Sequence, residues 1–104
     1  MSKTAILAKL TAQPGKRDEL VEALAPLVEA VDQEPGTELY VLHTSPTEPD
    51  VVWFYELYTD QESLQAHSKS DAMKQVGGRL AGLLAGPPDL IPVTPHRAAG
   101  IALS

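Results

Sequence analysis

The stretch VVWFYELY, residues 51–58, is the strongest strand signal in the chain and decides the fold. It is rich in β-branched and aromatic residues, which favour an extended backbone. Side chains alternate between the two faces of a strand, and here both alternating sets are largely apolar. One set faces the helices, so the other set needs a different cover, and an apolar face of that kind is typical of an interface. We therefore expect two copies of the chain to pack sheet against sheet as a homodimer.

Three further strands and two helical regions are predicted around this segment. The strands are expected at residues 3–12, 37–45 and 89–96, and the helical regions at residues 16–33 and from residue 59 to the Gly86-Pro87-Pro88 stop. The order β-α-β-β-α-β is the split βαβ arrangement, which predicts an antiparallel sheet with both helical regions on one face. The predicted fold class is therefore α+β, ferredoxin-like. Two prolines place the last strand at an edge or leave it irregular.

Apolar spacing and capping residues define the helices. In residues 16–33 an apolar stripe continues past Pro26, although proline removes one backbone donor and is expected to kink or shorten the helix. Thr59 followed by Glu62 fits a capping box, which starts the second helical region. Ser70 is expected to cap a further segment. This region is therefore predicted to form two helices or one bent helix.

The composition excludes several classes of function. The 104 residues suit one domain over residues 1–104, with a core at 3–96 and a tail at 97–104. A formal net charge of −6 with scattered basic residues argues against a nucleic-acid partner. The chain has no cysteine, which excludes disulfides and thiolate catalysis. It also has no apolar run long enough to cross a membrane, so a cytoplasmic location is expected.

Two polar side chains within apolar patterns, His67 and Glu56, are the candidate catalytic residues. An imidazole titrates near neutral pH and can accept the proton of a phenol. A carboxyl group buried without a partner has a raised pKa and can act as a proton acceptor. Each residue also has a structural interpretation. The histidine can bond a backbone carbonyl at the edge of the core, and the carboxylate can bond a helix end or a tyrosine.

All five aromatic residues lie on the predicted hairpin. Aromatic rings either stack on a planar ligand or fill a core. By alternation, Trp53 and Tyr55 share one face of their strand. Phe54 and Tyr58 share the other face with Glu56. One set is expected to line a pocket and the other to face the dimer partner, and the pattern leaves open which. The candidate substrate-binding residues are therefore Tyr40, Trp53, Phe54, Tyr55 and Tyr58.

The three histidines show no metal-binding pattern. His43, His67 and His96 do not have the i, i+4 helical spacing that is typical of zinc sites. A metal site assembled through space from His43, His67 and Glu56 is a minor alternative. His43 is instead expected to be structural or interfacial. No metal ligand is predicted.

Five short motifs occur in a characteristic order. They are Pro14-Gly15-Lys16 before the first helix, Glu34-Pro35-Gly36 after it, Tyr40, Phe54-Tyr55-Glu56-Leu57-Tyr58-Thr59-Asp60, and Leu64-Gln65-Ala66-His67-Ser68-Lys69-Ser70. In this order and spacing, over roughly residues 3–95, the chain resembles the antibiotic biosynthesis monooxygenase family and, within it, the quinol monooxygenase branch.

The resemblance implies a homodimer whose sheets form a dimeric α+β barrel, with a pocket in each subunit between sheet and helices. Characterised members include monooxygenases that use molecular oxygen without metal or flavin on quinols or hydroxylated aromatics. Others isomerise small signalling molecules, and some degrade haem. The resemblance therefore implies a small quinol or hydroxylated aromatic substrate, molecular oxygen as co-substrate, and no cofactor.

This chain departs from the family pattern at two places, and these departures narrow the range of expected substrates. Many relatives have a tryptophan where this chain has Tyr58. The haem-degrading branch usually has an asparagine on the first strand and a later histidine on the second helix, whereas this chain has no asparagine and its His67 comes earlier. Haem is therefore disfavoured. The alternatives to an oxygenase are an isomerase or other proton-transfer enzyme, and a non-catalytic small-molecule-binding dimer.

Overall fold

The computed structural model describes residues 3–103, in which a four-stranded antiparallel sheet carries helices on one face. The strands are β1 (Thr4–Thr11), β2 (Thr37–Thr44), β3 (Val51–Tyr58) and β4 (Asp89–Val93). The helices are α1 (Arg17–Ala30), α2 (Gln61–Ser68) and α3 (Asp71–Leu80). The strand order across the sheet is β2-β3-β1-β4. The predicted ferredoxin-like α+β fold is confirmed, and residues 1, 2 and 104 of the predicted domain and tail lie outside the described residues.

The strand β3 lies inside the sheet, and its bounds match the predicted strand at residues 51–58. It pairs antiparallel with β1 on one side and with β2 on the other. Both of its faces are largely apolar, and the helices cover one of them. The polar exception is Glu56, which is buried.

The edge strand β4 is shorter than the predicted strand at residues 89–96. It spans Asp89–Val93 and pairs with β1 alone. Proline has no backbone N–H to donate to a neighbouring strand. Pro92 is tolerated because one side of an edge strand has no neighbouring strand to pair with. The backbone leaves the sheet before Pro95. The edge position of this strand is therefore confirmed, and its length is corrected.

The core lies between the sheet and the helices. Leu20, Leu24 and Leu27 form the predicted stripe on α1 and are buried. They belong to one cluster with buried side chains of β1, β3 and α3. The members from β3 are Val52, Phe54 and Tyr58. Phe54, Glu56 and Tyr58 therefore share the helix-facing side of β3, and Trp53 and Tyr55 face the opposite side.

The first helix continues through Pro26 and ends at Ala30. A 3-10 turn over Val31–Gln33 follows it, so the last three residues of the predicted helix at 16–33 form a tighter turn. Pro26 therefore does not end the helix at its own position. This turn delivers Glu34 to the start of β2.

The second helical region was predicted to form two helices or one bent helix, and it forms two helices, α2 and α3. Ser70 caps α3 as predicted, because its Oγ accepts the Met73 backbone N–H at 3.2 Å. The predicted cap of α2 at Thr59 is wrong by one residue. Asp60 is the cap, with Oδ1 accepting the Ser63 backbone N–H at 2.8 Å. Its carboxylate is the stronger acceptor, and the Thr59 hydroxyl instead donates to Glu38 on β2.

The second face of the sheet, directed away from the helices, carries apolar side chains of all four strands. Trp53 and Tyr55 of β3 lie at its centre, and the Lys9 ammonium lies 5.7 Å from the centre of the Trp53 ring. Val41 of β2 and Ile91 of β4 are exposed on the same face. Among residues 3–103, no helix is long and apolar enough to span a membrane.

The tail after β4 returns to one end of the sheet. The Lys3 ammonium at the entry to β1 donates to the Ala102 carbonyl at 2.6 Å. Ala5 and Leu57, which lie on the second face near this end, are fully buried. The described part of the tail, residues 97–103, contains no helix or strand.

Candidate functional site

A cavity of about 320 Å³ lies between the helix-facing side of the sheet and the helices α2 and α3. The sheet contributes Ile6, Glu56 and Leu90 to its lining. The helices contribute Leu64 and His67 of α2 and Met73 of α3, among others. Both predicted catalytic residues therefore face one cavity of a size suited to a small molecule.

Glu56 is held in the middle of β3 and is buried. The Tyr58 hydroxyl, two residues along the same face of the strand, donates to Glu56 Oε1 at 2.5 Å. Burial raises the pKa of the Glu56 carboxyl, and the Tyr58 hydroxyl and nearby His67 offset part of that rise. A carboxylate in this position is a stronger proton acceptor than an exposed one.

His67 lies near the end of α2 and is 2% exposed. Its Nδ1 lies 2.7 Å from Glu34 Oε1. The Thr37 hydroxyl donates to the same oxygen at 2.9 Å, so the carboxyl group is held from two sides. In the described part of the chain, His67 Nε2 is a buried side-chain atom with no hydrogen-bond partner. Buried polar atoms usually have a partner, so this nitrogen is free to bond a water molecule or a ligand.

Two tyrosines pack beside the His67 ring. The ring of Tyr40 has its centre 4.8 Å from the imidazole centre, and the ring of Tyr58 lies at 5.5 Å. Tyr40 also stacks on Phe54 at 4.6 Å. Burial and the nearby carboxylate of Glu56 raise the pKa of both tyrosines above the ordinary value of 10.0, so both remain neutral phenols. They therefore do not act as anions.

The predicted substrate-binding aromatics divide between the two faces of the sheet. Tyr40, Phe54 and Tyr58 lie on the helix side, where Tyr40 and Tyr58 pack beside His67 and Phe54 stacks on Tyr40. Trp53 and Tyr55 line a separate groove of about 610 Å³ on the second face. The cavity holding Glu56 and His67 has none of these five rings in its lining.

His43 lies beside Trp53 and Tyr55 in the groove on the second face. Its Nδ1 is 3.3 Å from the Trp53 carbonyl oxygen. The sheet therefore separates His43 from His67 and Glu56, and the three cannot share an ion. Across residues 3–103, no group of three His, Cys, Asp or Glu side chains is placed to hold a metal ion.

Glu34 belongs to this site but is not identified by the sequence, because Glu34-Pro35-Gly36 is a pattern typical of the end of a helix. Its position beside His67 depends on a close approach between the start of β2 and the start of α2. The Thr59 backbone N–H donates to the Gly36 carbonyl at 2.9 Å. A Cβ on Gly36 would overlap the side chain of Ser63 on α2. Glycine thus permits the contact that brings Glu34 to the ring.

Comparison with known proteins gives a family and several structural relatives. Residues 4–78 match the model of the family described as antibiotic biosynthesis monooxygenase. No curated protein matches the chain significantly.

Solved structures from several bacteria share this fold over nearly the whole chain. A candidate antibiotic biosynthesis monooxygenase from Caulobacter crescentus is 29% identical, with a TM-score of 0.86 over 92% of each chain. Another from Chloroflexus aurantiacus is 29% identical, with a TM-score of 0.80 over 97% of this chain and 100% of that one. A protein of unknown function from Nitrosomonas europaea is 25% identical, with a TM-score of 0.85 over 98% of this chain and 97% of that one.

Proposed function

The chain belongs to the antibiotic biosynthesis monooxygenase family, and we propose that it oxygenates a small quinol or hydroxylated aromatic without metal or flavin. The observation that carries this proposal is the pairing of His67 and Glu56 in one cavity of about 320 Å³. A quinol has two hydroxyl groups on opposite sides of a ring. A cavity with two proton acceptors suits both of them.

His67 takes the proton from one substrate hydroxyl, because it lines the cavity and its Nε2 has no hydrogen-bond partner among residues 3–103. Glu56 accepts a hydrogen bond from the other hydroxyl through the carboxylate oxygen that Tyr58 does not occupy. Both interactions push electron density into the ring. The apolar lining positions the substrate and excludes water.

The resulting phenolate is itself the reductant. It passes one electron to molecular oxygen, and a ring carbon then bonds to the reduced oxygen to form a hydroperoxide. Loss of water breaks the O–O bond and leaves a new carbonyl group. One quinol and one O₂ thus give one hydroxyquinone and one water, and the substrate supplies all four electrons.

The proposal includes a homodimer formed through the second face of the sheet. Val41, Ile91 and Val93 are exposed there beside Trp53 and Tyr55. Removing such a contiguous apolar surface from water stabilises association. A second copy of the same sheet offers a surface of the same width and chemistry, which makes it the favoured partner.

Oxygen uptake with a panel of hydroquinones tests the activity. Uptake matched by a product carrying one ¹⁸O atom from ¹⁸O₂ is expected. His67→Ala is expected to lower kcat by about 10²- to 10⁴-fold, the usual contribution of a proton acceptor. His96→Ala is the matched control, because His96 is exposed and lies outside the cavity.

One outcome would contradict the role of His67, and two would contradict the oxygenase. Normal turnover by His67→Ala would remove this residue from the reaction. A rearranged product without oxygen uptake would identify an isomerase that uses the same proton acceptors. Saturable quinol binding without any product would identify a binding protein.

A further inference from the structure

We propose that Glu34 is a positioning residue that fixes His67 as the Nδ1–H tautomer and so makes Nε2 its proton-accepting nitrogen. The inference deepens the function proposed above and names the residue on which the state of His67 depends. Glu34 is contributed by the turn before β2 and His67 by α2, and they are 33 residues apart in the chain. The pair exists only because the fold brings these elements together.

The hydrogen bonds of Glu34 determine which ring nitrogen carries the proton. A neutral imidazole has one N–H and one lone pair. Glu34 Oε1, at 2.7 Å from Nδ1, is an acceptor, so the bond requires the proton to lie on Nδ1. The Thr37 hydroxyl donates to this same oxygen and holds it in place. Nε2 then keeps its lone pair.

The free nitrogen is directed away from Glu34. The two nitrogens of an imidazole point their hydrogen-bonding positions in diverging directions, and Glu34 lines a cleft with His67 that does not include Glu56. Nε2 is buried and unpartnered in the described part of the chain, and His67 also lines the cavity that contains Glu56. Leaving a buried nitrogen unpaired is unfavourable, so a partner supplied by a bound molecule would stabilise the site.

The other groups around His67 do not set the tautomer. Tyr40, Tyr58 and Glu56 face the ring from β2 and β3, and Lys69 lines the same cavity from the end of α2. Among the described residues none of these side chains is hydrogen-bonded to the ring. Glu34 is therefore the group whose replacement is expected to change the proton position.

Long-range ¹H–¹⁵N NMR of the full chain tests the tautomer directly, at a pH where titration shows that the ring is neutral. Nδ1 is expected to be the protonated nitrogen in the wild type and Nε2 the unprotonated one. A wild-type ring protonated on Nε2 would overturn the inference. This measurement needs neither turnover nor a variant, so it stands even if the proposed reaction fails.

Glu34→Gln supplies the second measurement. The glutamine amide can donate to Nδ1, so the proton is expected to move toward Nε2. We expect kcat to fall about 10- to 10⁴-fold with little change in KM, the range for partners that orient a histidine. The matched control is Glu62→Gln, an exposed carboxylate in the first turn of α2, for which tautomer and kcat should stay as in the wild type.

The results of the variant decide between positioning and simple packing. An unchanged tautomer or an unchanged kcat in Glu34→Gln would overturn the inference. A changed tautomer in a chain that oxidises no quinol would support the role of Glu34 and contradict the proposed function alone. If the variant does not fold, the wild-type tautomer decides.

Discussion

Glu56 is a carboxyl group in the centre of a sheet, and its environment decides its charge. Burial disfavours the ionised form and raises its pKa, while the Tyr58 hydroxyl and nearby His67 act in the opposite direction. In the unfolded chain the group titrates near its ordinary pKa of 4.5. Between that value and the higher pKa of the folded state, the folded protein binds more protons than the unfolded protein. Stability must therefore fall as pH rises through this window.

Replacing Glu56 with glutamine tests this dependence. The glutamine amide keeps an acceptor for the Tyr58 hydroxyl but cannot ionise. The free energy of unfolding of Glu56→Gln, relative to wild type, is expected to increase as pH rises from about 4.5 to neutral. Urea titrations at several pH values measure it. A difference that stays constant or shrinks over this range would contradict a raised pKa for Glu56.

The residues of the site were predictable from the sequence to different degrees. Glu56 and His67 stand out because each is a polar residue within an apolar pattern, and the structure brings both to one cavity. Glu34 has no such signal. It lies beside a proline and a glycine, and its partner is 33 residues away, so only the three-dimensional fold reveals its role.

Some secondary-structure boundaries follow from nearby residues alone, whereas others depend on contacts with residues far away in the sequence. The bounds of β3 follow from its own composition, because a long run of β-branched and aromatic residues has few alternatives to a strand. The cap of α2 was misplaced by one residue because Thr59 and Asp60 are both good caps. Glu38 on β2 accepts a hydrogen bond from the Thr59 hydroxyl. The two residues are far apart in the sequence, so no local sequence pattern predicts this contact.

The contact between the start of β2 and the start of α2 depends on Gly36. Its φ is not positive, so alanine suits the backbone, but an added Cβ would overlap Ser63. We expect Gly36→Ala to lower the free energy of unfolding by about 1–3 kcal/mol. It should also lower turnover, because α2 carries His67. Chemical denaturation and kinetics measure the two effects.

Two further variants isolate the steric cause. Adding Ser63→Gly to Gly36→Ala removes the overlapping side chain and is expected to restore part of the lost stability and turnover. Gly77→Ala is the control in α3, where an added Cβ meets nothing within 4 Å. It should stabilise the chain by about 0.5–1 kcal/mol, since alanine favours the helix. No recovery in the double variant would show that the overlap is not the cause.

At the scale of the whole molecule, the helices cover one side of the sheet and leave the other side largely open. Val41, Ile91 and Val93 are each more than a third exposed on this second face. The tail reaches the end near Lys3 but leaves the groove at Trp53 and Tyr55 open. The proposed homodimer would cover that groove, and its sheet-to-sheet contact would leave both cavities on the outer sides.

Tyr55→Arg tests the dimer, because a charge placed at the centre of this face would be buried by association. We expect the dissociation constant to rise at least about 100-fold, measured by sedimentation equilibrium. Gln75→Arg adds the same charge on the exposed side of α3 and should leave association unchanged. A wild-type chain that stays monomeric at all concentrations, or a Tyr55→Arg variant that still dimerises, would contradict the proposed interface.

The position of Trp53 has a practical consequence for studying this protein. It is the only tryptophan of the chain, and it lies on the side of the sheet opposite His67 and Glu56. Its fluorescence emission should shift to shorter wavelength when another copy displaces water from the indole, whereas a compound that enters between sheet and helices should change it little. One optical signal can thus follow assembly without interference from occupancy of the reactive side.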